Sequence, residues 1–180
     1  MRKLLPLLLP LLLCTCGLAT SESELTETTF FDLAGYMNSE AERLGGMPLT
    51  VEKTITLNGV TETQELSTLN YADDLGLFGK ADINKTAWRE KYQTETEQLS
   101  GSHEVVRYVA LDSSLTTRVL EVESDRGEPT RIHIERRIGT VLSDGRSEMI
   151  YEPATGYSVV TNQENRFGDD VAATVRVRWK

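Results

Sequence analysis

Cysteine is confined to one end of this chain. Its 2 cysteines, Cys14 and Cys16, precede Gly17, and the body after them has none. That excludes a disulfide framework for the folded part, which has to be stabilised by an apolar core instead. Histidine is nearly as scarce. His103 and His133 are the only 2, and they lie far apart without a mature cysteine near them, so zinc and iron–sulfur ligand sets are excluded. Nucleophilic catalysis also wants a base, and neither imidazole stands in a recognisable constellation: His133 sits between Arg131 and Glu135 on the polar phase of an expected strand, and His103 sits beside a turn. No Gly-rich phosphate loop occurs. Basic residues are outnumbered, 19 against 28 acidic, for a net charge of −9, which disfavours nucleic acid as a partner. Arg176, Arg178 and Lys180 form a strand stripe rather than a nucleic-acid footprint.

Among the acids, Asp82, Asn84, Thr86 and Glu90 approach the alternation of a calcium loop without completing one, so they are read as turn caps. Asp73-Asp74 and Asp169-Asp170 fall where a helix start and a strand turn would use them, and nothing selects a catalytic carboxylate pair. No metal, no cofactor and no enzymatic activity are expected.

What is present begins with the leader, MRKLLPLLLPLLLCTCG. Arg2 and Lys3 precede an apolar run over residues 4–13 that Pro6 and Pro10 interrupt. The run is about half of the roughly 20 residues that a membrane-spanning helix needs. It has the layout of a cleaved secretory signal. Leu13-Cys14-Thr15-Cys16 resembles the lipobox of bacterial lipoproteins, which implies cleavage after residue 15 and lipidation of Cys16, with a lipid anchor holding the chain to a membrane. Gly17 after that cysteine is compatible with the outer membrane. Cleavage after Ala19, giving a secreted or periplasmic soluble product, is the alternative. Residues 16–28 are polar and acidic, which suits a tether, and Glu22 and Glu24 resemble the acidic export signal of some bacteroidete surface lipoproteins.

Residues 29–180 read as one domain. Phe30, Leu33, Ala34, Met37, Ala41 and Leu44 recur at three and four, predicting a helix over 29–44 capped by Thr28 or Thr29. The period then becomes two. Strands over 51–57 and 60–67 flank Asn58-Gly59, a hairpin signal. A short second helix is expected over 69–80. From there strands are predicted over 88–98, 104–111, 117–123, 131–138, 148–151, 157–163 and 172–179, separated by turn signals that include Asp144-Gly145. The fold class is therefore α+β: an N-terminal helix and a short second helix packed on a large curved antiparallel sheet, half-barrel-like. A closed lipocalin-like barrel is the runner-up.

The aromatic residues supply the one candidate ligand site. Trp88 and Tyr92 are expected on one strand face, and Tyr151 and Tyr157 flank a turn, so the four could line a groove; packing within the core is the competing reading. Three segments, FFDLAGYMNSEAERL, DINKTAWREKY and YEPATGYSVVTNQ, resemble an uncharacterised family of small bacteroidete lipoproteins with a helix ahead of a strand-rich domain. The expected outline is also similar to the half-barrel of periplasmic lipoprotein carriers. These resemblances imply an exported, lipid-anchored, non-enzymatic binding or assembly component of the cell envelope, with a protein or an apolar ligand as partner. A lipid or lipoprotein carrier with an apolar groove in the sheet is the alternative, and a hydrolase with an unrecognised carboxylate site is a further one.

Overall fold

The computed structural model describes residues 29–180; the leader, the tether and Cys16 lie outside the described residues. Helix α1 (Leu33–Gly45) is followed by strands β1 (Val51–Leu57) and β2 (Val60–Leu66), then helix α2 (Tyr71–Gly79) and a single 3-10 turn, Thr86–Trp88. Seven strands complete the chain: β3 (Tyr92–Ser100), β4 (His103–Ala110), β5 (Thr117–Asp125), β6 (Glu128–Thr140), β7 (Ser143–Glu152), β8 (Gly156–Asn165) and β9 (Val171–Trp179).

All nine strands form one antiparallel sheet in the order β2-β1-β9-β8-β7-β6-β5-β4-β3. The run from β3 to β9 is a meander, and the early hairpin extends it by pairing β1 with β9, from Val51↔Trp179 to Leu57↔Ala173. The hairpin turns through Asn58 and Gly59, both at positive φ (47° and 86°), the geometry a two-residue connection requires. β2 and β3 end the sheet as separate edges, so it is open and curved rather than a closed barrel. The α+β expectation holds.

Both helices cover the inner face of the sheet. Leu33, Met37 and Leu44 of α1 and Tyr71, Leu75 and Phe78 of α2 are buried against Leu120, Ile132, Ile134, Met149 and Val177 of the strands. Helix α1 starts later than its periodicity suggests, and its cap is Asp32 rather than Thr28 or Thr29: Asp32 Oδ1 accepts from the Gly35 amide at 2.9 Å. Gly35 belongs there because a Cβ would come within 2.2 Å of the Asp32 carboxylate. Phe30 and Phe31 are instead held ahead of the helix by the turn region after α2. The Phe30 amide donates to Asn84 Oδ1 (2.9 Å), and Asn84 Nδ2 donates to the Phe31 carbonyl (2.9 Å). Asp82 takes the Ala34 amide at 3.3 Å. Asp82 thus serves the first turn of α1 as well as its own turn, where it accepts the Asn84 amide at 2.7 Å.

Two further expectations fail locally. Asp144-Gly145 is not a turn: both residues lie in β7, paired with Gly139 and Ile138 of β6, and the chain reverses one residue pair earlier, at exposed Val141 and Leu142. Gly145 answers to a close approach inside the sheet, where a Cβ would lie 2.8 Å from the Asn162 carbonyl oxygen. Trp88 is the second case. It sits in the 3-10 turn and not on β3, because the Trp88 and Lys91 amides close turns onto the carbonyls of Lys85 (2.8 Å) and Trp88 (2.9 Å).

Asn84→Ala removes both side-chain bonds to the Phe30–Phe31 backbone, leaving partly buried groups unpaired. A loss of about 1–3 kcal/mol is expected in urea unfolding, with faster amide hydrogen exchange at Phe30 as the local signature.

Candidate functional site

Tyr151 and Tyr157 face each other across β7 and β8. Phe78 of α2 packs edge-on against both, with ring centroids at 6.0 and 5.7 Å. Each tyrosine points its hydroxyl at a different helix. The Tyr151 hydroxyl donates to Glu40 Oε2 of α1, and Arg43 grips the same carboxylate through two bonds of 2.7 Å. The Tyr157 hydroxyl donates to Asp74 Oδ2 of α2, which also pairs with Lys53 Nζ of β1 at 3.1 Å. Each helix is thus fastened to the sheet by a carboxylate–tyrosine bond; Lys53 adds a second tie from β1 to α2, while Arg43 pairs with Glu40 within α1.

The electrostatics follow from burial. Glu40 is only 8% exposed. Burial alone would raise its pKa, but hydrogen bonds from Arg43 and Tyr151, with the Arg43 charge, outweigh that and hold the carboxyl below its ordinary 4.5. Burial, then the Glu40 carboxylate, push Tyr151 far above the usual tyrosine range; burial and Asp74 do the same to Tyr157. Glu40 therefore stays ionised at neutral pH while both phenols stay protonated. That arrangement suits a fastening: a carboxylate with a depressed pKa is a poor general acid, and a protonated phenol is a poor nucleophile.

Tyr92 and Trp88 belong to another part of the molecule. The Tyr92 hydroxyl donates to the Thr117 carbonyl at 2.8 Å, and burial pushes its pKa up to about 12. Its ring meets Phe30 at 5.8 Å and Trp88 at 6.3 Å, and Lys85 Nζ sits 4.0 Å from the centre of the Trp88 ring. The four aromatic candidates therefore form two pairs. Tyr151 and Tyr157 lie under the helices, and Trp88 and Tyr92 lie beside the β3 edge.

The outer face is wet and ion-paired. Arg131 reaches Glu123 at 2.8 Å and Glu121 and Glu152 at 3.9 Å, and His133 Nε2 lies 3.1 Å from Glu148. A depression of about 560 Å³ is lined by polar and apolar residues in similar measure, and one of about 760 Å³ largely by charged and polar ones. The first includes Glu152, Ser158, Arg176 and Arg178, and the second includes Arg118, Arg137, Arg146 and Glu148. Among the described residues no group of three or more His, Cys, Asp or Glu is placed to hold a metal ion.

One inner-face residue departs from this pattern. Arg136 falls in the same alternation as Ile132, Ile134 and Ile138, so β6 presents a cation on its dry side. Its Nε is buried without a hydrogen-bond partner, and desolvation draws its pKa below the ordinary arginine value. None of the ion pairs among the described residues includes it. Sequence reading missed Arg136, although an arginine in an isoleucine phase was visible there. No family model, no curated protein and no solved structure matches the chain.

Glu40→Gln tests the first fastening. Because the folded pKa lies below the unfolded one, the Glu40 contribution is fully present above the unfolded value and fades as pH falls through the folded one. At pH 7 the variant is expected to be less stable by about 1.5–3 kcal/mol, the worth of hydrogen bonds to a charged group. Urea titrations at descending pH should show the gap to wild type closing below about pH 4.5.

Proposed function

We propose that this protein is an exported lipoprotein, anchored at the outer membrane through Cys16, whose folded domain is a non-enzymatic binding or assembly component of the cell envelope. The part of the inner face that α1 and α2 cover carries the reading of the domain. The apolar stripes of α1 and α2 already lie against the strands, and the inner-face carboxylates Glu40 and Asp74 are each engaged by a tyrosine and a cation. A hydrolase would want a pair of carboxylates with pKa values pushed apart and upward at a cleft. Glu40 is pushed the other way.

The leader carries the reading of location. Arg2 and Lys3, the apolar run and Leu13-Cys14-Thr15-Cys16 together resemble a lipoprotein signal, and the acidic stretch after Gly17 has the composition of a spacer. A domain held off a membrane by such a spacer presents its outer, ion-paired face, its open edges and the uncovered part of its inner face to partners in the envelope. The resemblance of three segments to small bacteroidete lipoproteins supports the same assignment.

Intact mass of the membrane-extracted protein tests it. Wild type is expected to begin at Cys16 and to carry acyl mass, and Cys16→Ser is expected to move the protein out of the membrane fraction. A soluble wild-type product beginning after Ala19 would refute the anchor.

A further inference from the structure

The two helices leave part of the inner face bare, and what lies there is ordered. Register aligns Arg136 with Ser147 on β7, Ser147 with Thr161 on β8, Thr161 with Ala173 on β9, Ala173 with Leu57 on β1, and Leu57 with Val60 on β2. The row thus begins at a guanidinium that has no ion pair among the described residues and whose Nε is buried without a hydrogen-bond partner, passes over small side chains, and ends on apolar ones. Ser147 and Thr161 share a hydrogen bond of 3.3 Å between their hydroxyls near the charged end. One row closer to the helices run Val159, Val175 and Ile55, which give the row an apolar flank. At its far end Ile55, Leu57 and Val60 are 43%, 52% and 69% exposed. Two exposed aliphatic residues at the end of the row and a third beside it, on the same face as a cation that has no counter-ion among the described residues, make an amphiphilic surface with its own polarity.

We propose that this row binds a long-chain fatty acid, with the carboxylate on Arg136 and the hydrocarbon chain lying across the small residues toward Leu57 and Val60. The inference rests on the binding role assigned above and names the ligand class for it. A guanidinium presents donors in a planar fork that a carboxylate fits, so the anionic head supplies the partner Arg136 lacks. Length is compatible as well. With strands about 4.8 Å apart, Arg136 and Leu57 are four spacings, roughly 19 Å, apart. One acyl chain spans about 15 Å, half of a bilayer hydrocarbon core, so a chain whose head sits on Arg136 crosses Ser147 and Thr161 and ends near Ala173, beside the aliphatic end of the row. A nucleic-acid backbone would bring many charges to a row that offers one cation, and a neutral lipid would leave that cation unpaired.

The test uses the full-length chain, extracted from membranes and delipidated, with palmitate, hexadecanol and octanoate as probes in native mass spectrometry and in titrations of carboxyl-labelled palmitate by carbon NMR. One palmitate per chain is expected, with hexadecanol and octanoate weaker by about tenfold or more. Arg136→Gln, and separately Leu57→Glu with Val60→Glu, should each weaken palmitate by about tenfold or more, whereas Glu97→Gln on the remote β3 edge should not. The Leu57/Val60 variant changes exposed positions, so it keeps the test decisive if Arg136→Gln fails to fold. Absence of palmitate binding, equal affinity in all variants, hexadecanol binding as tightly as palmitate, or attachment to phosphatidylglycerol vesicles without palmitate binding would each overturn the inference. Denaturing mass of the same sample reads acyl groups on Cys16 separately. A lipidated chain that ignores palmitate would therefore sink this proposal and leave the exported-lipoprotein reading standing.

Discussion

A single open sheet with one dry face cannot stand alone in water, and covering that face is the constraint from which the rest of this structure follows. The cover consists of two short helices, and most of its energy is apolar. Burying one large side chain such as Phe78 or Leu33 is worth about 1.5–3 kcal/mol, and the core cluster contains many of them. Such burial is non-directional. A helix held only by leucines and phenylalanines has several near-equivalent seats on a smooth sheet. The hydroxyls of Tyr151 and Tyr157 remove that freedom, because each has one acid to meet, on α1 and α2 respectively. Contact between the helices fixes their spacing, and the two tyrosines are register partners, so both helices are indexed to one point of the β7–β8 ladder.

The same constraint accounts for the order of the strands. The cover arrives before and between the first strands, and β1 and β2 must still join the sheet whose face α1 and α2 protect. Pairing β1 with β9 achieves this by zipping the early hairpin to the last strand of the chain. Lys180 adds an ionic tie at that seam through Glu52 and Glu65. Lys53, contributed by β1, completes the α2 fastening. The seam and the cover therefore stabilise each other, although they come from opposite ends of the described chain.

Much of this was legible from alternation and punctuation. The helix stripe of Leu33, Met37 and Leu44, the Asn58-Gly59 hairpin and the alternating phases of β4, β5 and β9 each follow from local rules, and together they dictate an α+β sheet with covered and wet faces. Non-local demands were hidden. Gly145 looks like a turn residue because its real reason, a neighbouring carbonyl on β8, is distant in sequence. Trp88 sits in a strand-like stretch, but Asp82 and Asn84 are spent on the start of α1, and the chain between them and β3 turns instead of extending. The four aromatic candidates were grouped as one groove lining, whereas the structure divides them into two separate pairs. Nothing in their spacing discloses that Tyr151 and Tyr157 answer to Glu40 and Asp74, and only the pairing of β7 with β8 beneath both helices brings those groups together.

Dimensions explain why the cover is incomplete. α1 has 13 residues and α2 has 9, so they are roughly 20 and 14 Å long, and each is about 10 Å wide. Nine strands at about 4.8 Å spacing span nearly 40 Å. Two helices side by side therefore leave a large share of the inner face uncovered. Near the helices the inner row is Val177, Tyr157, Tyr151 and Ile132, all buried. Two residues further along the strands it has become Val175, Val159 and Met149, and one step beyond that Ala173, Thr161, Ser147 and Arg136. The shrinking side chains and the appearance of hydroxyls are what a sheet needs where its cover ends and solvent begins. On this face Ile55, Leu57, Val60 and Arg136, which has no ion pair among the described residues, are the residues that solvent exposure does not account for. An arginine on the dry phase is costly wherever a leucine would serve, and three aliphatics at the rim gain nothing by facing water. Those departures from the gradient lie on or directly beside a single register row, which gives them one common explanation where separate accidents would need four.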